Sequence, residues 1–197
     1  MNNDYHIESY CHIRNNNISH DGNSLYKSNE EKFPDFIKAA YKHLEIDYSK
    51  FFKMDNLSKL AFIAADVLLK EEIEKNIGLA LSNNASSLDT DRKYQESIKG
   101  YPSPSVFVYT LPNICLGEIS IKHQLYSENS FFVFDSFNAE SIHTYTNSLL
   151  DEQKSEKVLC GWVNFDNGKY DAFLYVVAKK GTFVHSVSEI NRLYKTQ

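Results

Sequence analysis

With 197 residues, 42% of them hydrophobic and 24% charged, the chain is long enough to bury a core of its own and is read as one domain over residues 1–197. A net charge of -5 argues against the basic face by which proteins track nucleic-acid phosphates. No run of about 18 uncharged apolar residues offers a membrane span. The opening MNNDYHIESYCHIR has no basic segment ahead of an apolar one, so the expected compartment is the cytoplasm. Cys11, Cys115 and Cys160 lie far apart, with no CxxC pair and no histidine at metal-ligand spacing. They read as small buried hydrophobes, and neither a metal nor a cofactor is expected.

In chain order, residues 5–14 alternate well enough for a first strand, and NNNISHDGNS behind them is dense in turn formers and reads as a loop. Phe33, Phe36, Ile37, Ala40, Tyr41 and Leu44 recur at three and four residues, with Pro34 in the first turn of a helix. A second helix follows, with Leu57, Leu60, Ala61, Ala64, Ala65, Leu68 and Leu69 as its apolar stripe and Asp55 or Asn56 as its cap. IGLALS at 77–82 has the continuous apolar character of a strand covered on both faces. Polar residues 83–87 then lead into a short polar helix, SSLDTDRKYQESI, capped by a Ser or Asp.

The stretch from Tyr101 to Ser136 organises the rest. Pro104 marks a helical start, and Pro112 forces a break at Leu111. Asn113 is expected to cap a second helix, running to about Gln124, that is apolar nearly all round and therefore central. After a turn at 127–129, SFFVFDS reads as a buried strand that delivers Ser136 at its carboxyl end, the place where α/β sheets put chemistry. AESIHTYTNSLLDEQ has helical spacing, and 157–178 form two apolar runs about Asp166, Asn167 and Gly168, a hairpin signal. VSEINRLYKTQ closes the chain as a short helix or a frayed tail. The order β, α, α, β, α, α, β, α, β, β predicts an α/β layered fold, a mixed sheet of about five strands with helices on its faces.

SPSVFVYTLPNICLGEISIKHQLYSENSFFVFDS resembles the corresponding stretch of the β-ketoacyl synthases, the condensing enzymes of fatty-acid and polyketide synthesis. The family pattern there is SPxxF, a PN-like dipeptide, a Gly, an S/T-I pair, a G-P turn and a strand ending A-C-S/A-S. Aligning Asn113, Gly117 and Ile121 on it without gaps puts Ser136 where the family has its nucleophilic Cys. The element order also resembles the amino-terminal half of the thiolase-like fold. The resemblance implies an acyl pocket and dimer interface drawing on Leu111, Asn113, Phe132, Phe134 and Phe137, with dimers formed edge to edge through Ser130–Phe134.

The departures from that pattern weigh against condensation. A condensing enzyme needs a thiolate, whereas a hydroxyl starts so far above a thiol in pKa that Ser136 needs an adjacent general base. The family's two catalytic histidines come from a carboxyl-terminal half that has no counterpart in this sequence. The G-P turn is replaced by Ser127 and Glu128, and Phe137 and Asn138 stand where the family has small residues. Asp135, next to Ser136 on a strand, is expected on the opposite face. His123 and His143 read as surface residues that could approach one another in space, Cys115 as a buried helical thiol, Glu118 as an exposed or bonded carboxylate, and Trp162 as core or partner surface.

Two readings follow from the resemblance. In the first the chain is a catalytically inactive ketosynthase-like subunit, a partner or chain-length component in fatty-acid or polyketide-type synthesis such as the aryl-polyene and flexirubin pigment pathways. It would form a homodimer or pair with a complete ketosynthase, with acyl carrier protein as a further partner. The face left by the missing half is expected to be apolar and to favour such association. In the second reading Ser136 is the nucleophile of a serine acyltransferase or esterase acting on acyl thioesters.

Overall fold

The computed structural model describes residues 5–196. Strand β1 (His6–Arg14) folds back through β2 (Asn17–His20) and β3 (Asn23–Lys27), and helices α1 (Phe33–His43) and α2 (Asn56–Leu69) follow. Strand β4 (Ile77–Asn83) leads to α3 (Leu88–Ile98), the single turn α4 (Pro104–Phe107) and α5 (Ile114–His123). Strand β5 (Asn129–Val133) precedes α6 (Ala139–Asp151), the hairpin β6 (Lys157–Asp166) and β7 (Lys169–Ala178), the short β8 (Phe183–Val184) and α7 (Val187–Lys195). The strands form one eight-stranded sheet in the order β3-β2-β1-β7-β6-β4-β5, with β8 pairing β1. Strand β4 runs parallel to both β5 and β6, and the other pairings are antiparallel.

Alternating strand residues feed two cores. Leu79, Leu81, Leu159 and Leu174 pack against Phe36, Leu60, Ile63, Leu116 and Ile119 of α1, α2 and α5. Ala80, Val158, Cys160, Phe173 and Tyr175 face Ile142 and Leu149 of α6 and Ile190 and Leu193 of α7. Every residue of β4 is buried, as its unbroken apolar run predicts for a strand covered on both faces. Asp55 caps α2 by accepting the Ser58 N–H at 2.8 Å, and Pro34 occupies the first turn of α1. Gly161 carries φ +139°, and a Cβ there would lie 2.1 Å from the Phe173 carbonyl oxygen on the paired strand, so this position admits no side chain.

Four expectations need correction. The segment read as a loop after β1 is the β2–β3 hairpin. Its turn residues Asn15, Asn16, Asp21 and Gly22 take positive φ, while Ile18 points into the core. This hairpin adds two strands and β8 a third, raising the number from about five to eight. Helix α5 is an outer helix: Cys115, Leu116, Ile119 and His123 are buried, but Ile121 is 58% exposed and nothing lies within 4 Å of a Cβ built on Gly117. Asn113 holds the N-cap position with an αR backbone and no side-chain capping bond. Finally, the outer surface of α6 and α7 is polar: Glu140, Thr144, Asp151, Ser188, Arg192 and Lys195 are exposed there, so among the described residues these two helices present no open apolar face.

Candidate functional site

The strand expected to be buried is an edge strand. Strand β5 pairs only with β4, Leu79 standing against Asn129 and Asn83 against Val133. The Leu79 N–H donates to the Glu128 carbonyl at 2.8 Å, and the Phe134 N–H donates to the Asn83 carbonyl at 2.8 Å. Alternation along a parallel ladder therefore turns residues 128, 130, 132 and 134 toward β4, and leaves the N–H and C=O groups of Asn129, Phe131 and Val133 facing outward. Phe131 packs against the α5 core. Phe132 and Phe134 face the opposite side, stacked at 5.8 Å, with Tyr145 of α6 against Phe132 at 5.0 Å. The Tyr145 hydroxyl hydrogen-bonds Ser130. The far edge of the sheet differs: β3 reads NSLYK, bears Lys27, and meets β2 through a register shift. Those are devices that blunt an edge, and β5 has none of them within its span.

Ser136 lies beyond the strand, in the bend between β5 and α6, and is exposed. It lines an open depression of about 620 Å³ with Val133, Asp135, Asn138 and Glu140 on one side and Asn191 of α7 on the other. Asp135, expected on the opposite face of a strand, is exposed in the same bend and lines the same depression. No histidine borders it, and among the described residues the Ser136 hydroxyl has no hydrogen-bond partner. The negative charge of two carboxylates beside a hydroxyl opposes its ionisation. Asn138 is committed to capping α6, accepting the Ser141 N–H at 2.9 Å. Phe137 turns inward onto Trp162, Phe173 and Tyr194 at ring distances of 6.2, 5.7 and 4.5 Å. It fills the layer beneath α7 rather than crowding Ser136.

Leu111 is 59% exposed and Asn113 is exposed. With Phe107 and Val108, also exposed, Leu111 forms an apolar shoulder. The Ser87 hydroxyl, just past β4, donates to the Thr110 carbonyl and ties this shoulder to the carboxyl end of the sheet. Glu118 is a bonded carboxylate, accepting from the Tyr48 and Tyr109 hydroxyls at 3.2 and 2.9 Å. Trp162 is core. Burial drives the Cys115 thiol far above its ordinary range.

The histidines do not assemble as expected. His123 is buried against Asp66, 3.4 Å from its carboxylate, and desolvation lowers its pKa to about 4. It belongs to the α2–α5 side of the sheet, whereas His143 lies on α6 across it. A cluster that sequence reasoning missed lies on the α6 side. His185 Nδ1 is 3.0 Å from Asn147 Oδ1, and His143 Nε2 is 3.1 Å from the His185 carbonyl. Cys160 is in the same layer. Cysteine, histidine and asparagine make a nucleophilic set in other settings, but here burial raises the Cys160 thiol to about 12 and lowers His185 to about 3. The cluster links α6 to the segment that enters α7. Its members are dispersed from 143 to 185, and only the four-residue spacing of His143 and Asn147 was visible beforehand.

This mixed sheet between two helical layers is similar to the thiolase-like fold of solved ketosynthase structures. Solved structures of that fold match nearly the whole chain. A chain of the ketosynthase ApeO in complex with its chain length factor ApeC, from Xenorhabdus doucetiae, aligns over 97% of this chain and 90% of its own length, with TM-score 0.63 and 13% identity. The ishigamide ketosynthase/chain length factor aligns over 89% of this chain and 62% of its own, with TM-score 0.62 and 14% identity. A β-ketoacyl synthase from Burkholderia phymatum STM815 aligns over 90% and 59%, with TM-score 0.60 and 12% identity. The chain thus spans most of the first and about three fifths of the other two, and the likeness is one of fold. No protein-family model matches the sequence, and no curated protein matches it.

Proposed function

We propose that this protein is a non-catalytic ketosynthase-like subunit that partners a condensing enzyme in fatty-acid or polyketide-type synthesis, as a chain-length or scaffold component. The observation that supports this reading is an unblunted edge strand, β5, that leads into an exposed bend where Ser136 has no histidine beside it. Ser136 lines an open depression with Asp135 and Glu140 and without a histidine. Strand β5 offers outward backbone groups at 129, 131 and 133 and the exposed Val133, and Leu111, Phe107 and Val108 are exposed apolar residues of the segment ahead of α5. Two of the similar folds come from structures whose printed names couple a ketosynthase with a chain length factor, which favours a ketosynthase as the partner. In this reading Leu111 and Asn113 lie on the partner-facing shoulder, and Phe132 and Phe134 brace the strand from behind.

Intact mass spectrometry after incubation with acyl thioesters tests the catalytic half of the proposal. Neither the wild type nor Ser136→Ala should gain acyl mass. An adduct on the wild type that is absent from Ser136→Ala would establish the serine acyltransferase or esterase reading instead.

A further inference from the structure

Asp66 of α2 and His123 of α5 form the buried part of a pocket of about 400 Å³, on the side of the sheet away from α6 and α7. Each keeps less than a tenth of its surface exposed. Asp66 accepts no hydrogen bond from any described residue. Its nearest polar neighbour is His123 Nε2 at 3.4 Å, beyond ordinary hydrogen-bond range, and that nitrogen is itself buried without a hydrogen-bond partner. Burial keeps the imidazole neutral at neutral pH, so it supplies Asp66 with no counter-charge. Burial also raises Asp66 above its ordinary range. A carboxylate stripped of water and offered no donor is costly, and a cation entering the pocket would relieve that cost.

The outer lining carries the opposite charge. Lys70, Lys75 and Lys122 stand there, and their ammonium groups donate to the backbone carbonyls of Leu44, Glu72 and Asp47 at 3.3, 3.2 and 2.9 Å. None of the three has a carboxylate in ion-pair range among the described residues, and each ammonium retains donors for a ligand. Glu72, also in the lining, is taken up by Lys157 at 2.7 Å, and Glu45 and Asp47 are exposed. Ile46 and Leu69, both buried, give the lining an apolar wall. A simple anion would meet Asp66, and a simple cation would meet the lysines. We propose that this pocket binds a free apolar α-amino acid, its ammonium on Asp66, its carboxylate on Lys75 and Lys122, and its side chain against Ile46 and Leu69. A charge-assisted bond at each end then supplies the partners that the protein itself withholds.

Isothermal titration calorimetry of the full chain with L-leucine and L-phenylalanine tests the proposal. Isoamylamine and isocaproate, each keeping one of leucine's two charged groups, serve as controls. At least one amino acid should bind with Kd of about 1 mM or tighter, and each one-headed analogue of leucine should bind at least about ten-fold more weakly than leucine or not at all. Asp66→Asn, which keeps the shape and removes the charge, should abolish binding. Lys75→Met, outside the core, should weaken it, and this variant keeps the test decisive if Asp66→Asn does not fold. Absence of binding by both amino acids at about 10 mM would overturn the proposal. So would isocaproate or isoamylamine binding as tightly as leucine, which would define a simple anion or cation site. Undiminished amino-acid binding by Lys75→Met and by a folded Asp66→Asn would also overturn it.

Discussion

Replacing Val133 with proline separates assembly from folding. The Val133 N–H points away from β4 and its side chain is 55% exposed, so the ladder that holds β5 to the sheet loses nothing and proline's fixed φ suits an edge strand. In a homodimer paired antiparallel through β5, with Val133 of one copy opposite Asn129 of the other, each copy loses one donor, and the Asn129 carbonyl opposite it is left buried without a partner. At about 1–3 kcal/mol for each orphaned acceptor, two of them weaken the dimer by about 2–6 kcal/mol, roughly thirty-fold or more in Kd. With a single β5 in a heteromeric complex the loss is about half as large. Sedimentation velocity across a concentration series, with thermal melts in parallel, measures both quantities. Phe132→Pro is the control: its N–H serves the β4 ladder, so it should lower Tm sharply. The reasoning fails if Val133→Pro assembles like the wild type, or if it melts as early as Phe132→Pro.

Acid should destabilise the fold ahead of ordinary carboxylate titration. His12, His123 and His185 are buried, and desolvation lowers them from 6.5 to about 4, 4 and 3. Between those values and 6.5 the unfolded chain binds more protons than the folded one, so stability present above about pH 6.5 is lost as pH falls. The loss is on the order of 2 kcal/mol per histidine at pH 5, and urea unfolding at pH 7.5 and pH 5 should differ by several kcal/mol; equal midpoints would contradict it. Asp66, raised by burial, works in the opposite direction and tempers the effect. Gly161→Ala should cost more than about 3 kcal/mol, because the added Cβ meets the Phe173 carbonyl at a positive φ; a near-native Tm would show that the β6–β7 contact yields.

Much of the scaffold was legible because its signals are local. The all-buried run of β4, the Asp55 cap and the 157–178 hairpin each carry their cause within a few residues. The β2–β3 hairpin was missed because its turn formers outweigh one buried Ile18, and pairing with β1 decides the outcome. Strand β5 was misjudged because an apolar run reads alike at the centre of a sheet and at its edge. The polar outer face of α6 and α7 could not be foreseen, since it depends on α7 folding back over Phe137 and Phe173. His123 defied its expected exposure for a similar reason: burial against Asp66 is a tertiary event. That Ser136 follows a strand was legible from the apolar run before it, but the loss of Asp135 from the strand and its place beside Ser136 appeared only in three dimensions.

The central claim is that this chain acts by lending β5 to a ketosynthase. Tagged wild-type and Val133→Pro chains purified side by side from the native cell test it most directly, with co-purifying proteins identified by mass. The account predicts a stoichiometric ketosynthase with the wild type and its loss with Val133→Pro, at unchanged Tm. Recovery of the wild type without a ketosynthase, or equal recovery of one on both chains, would contradict it.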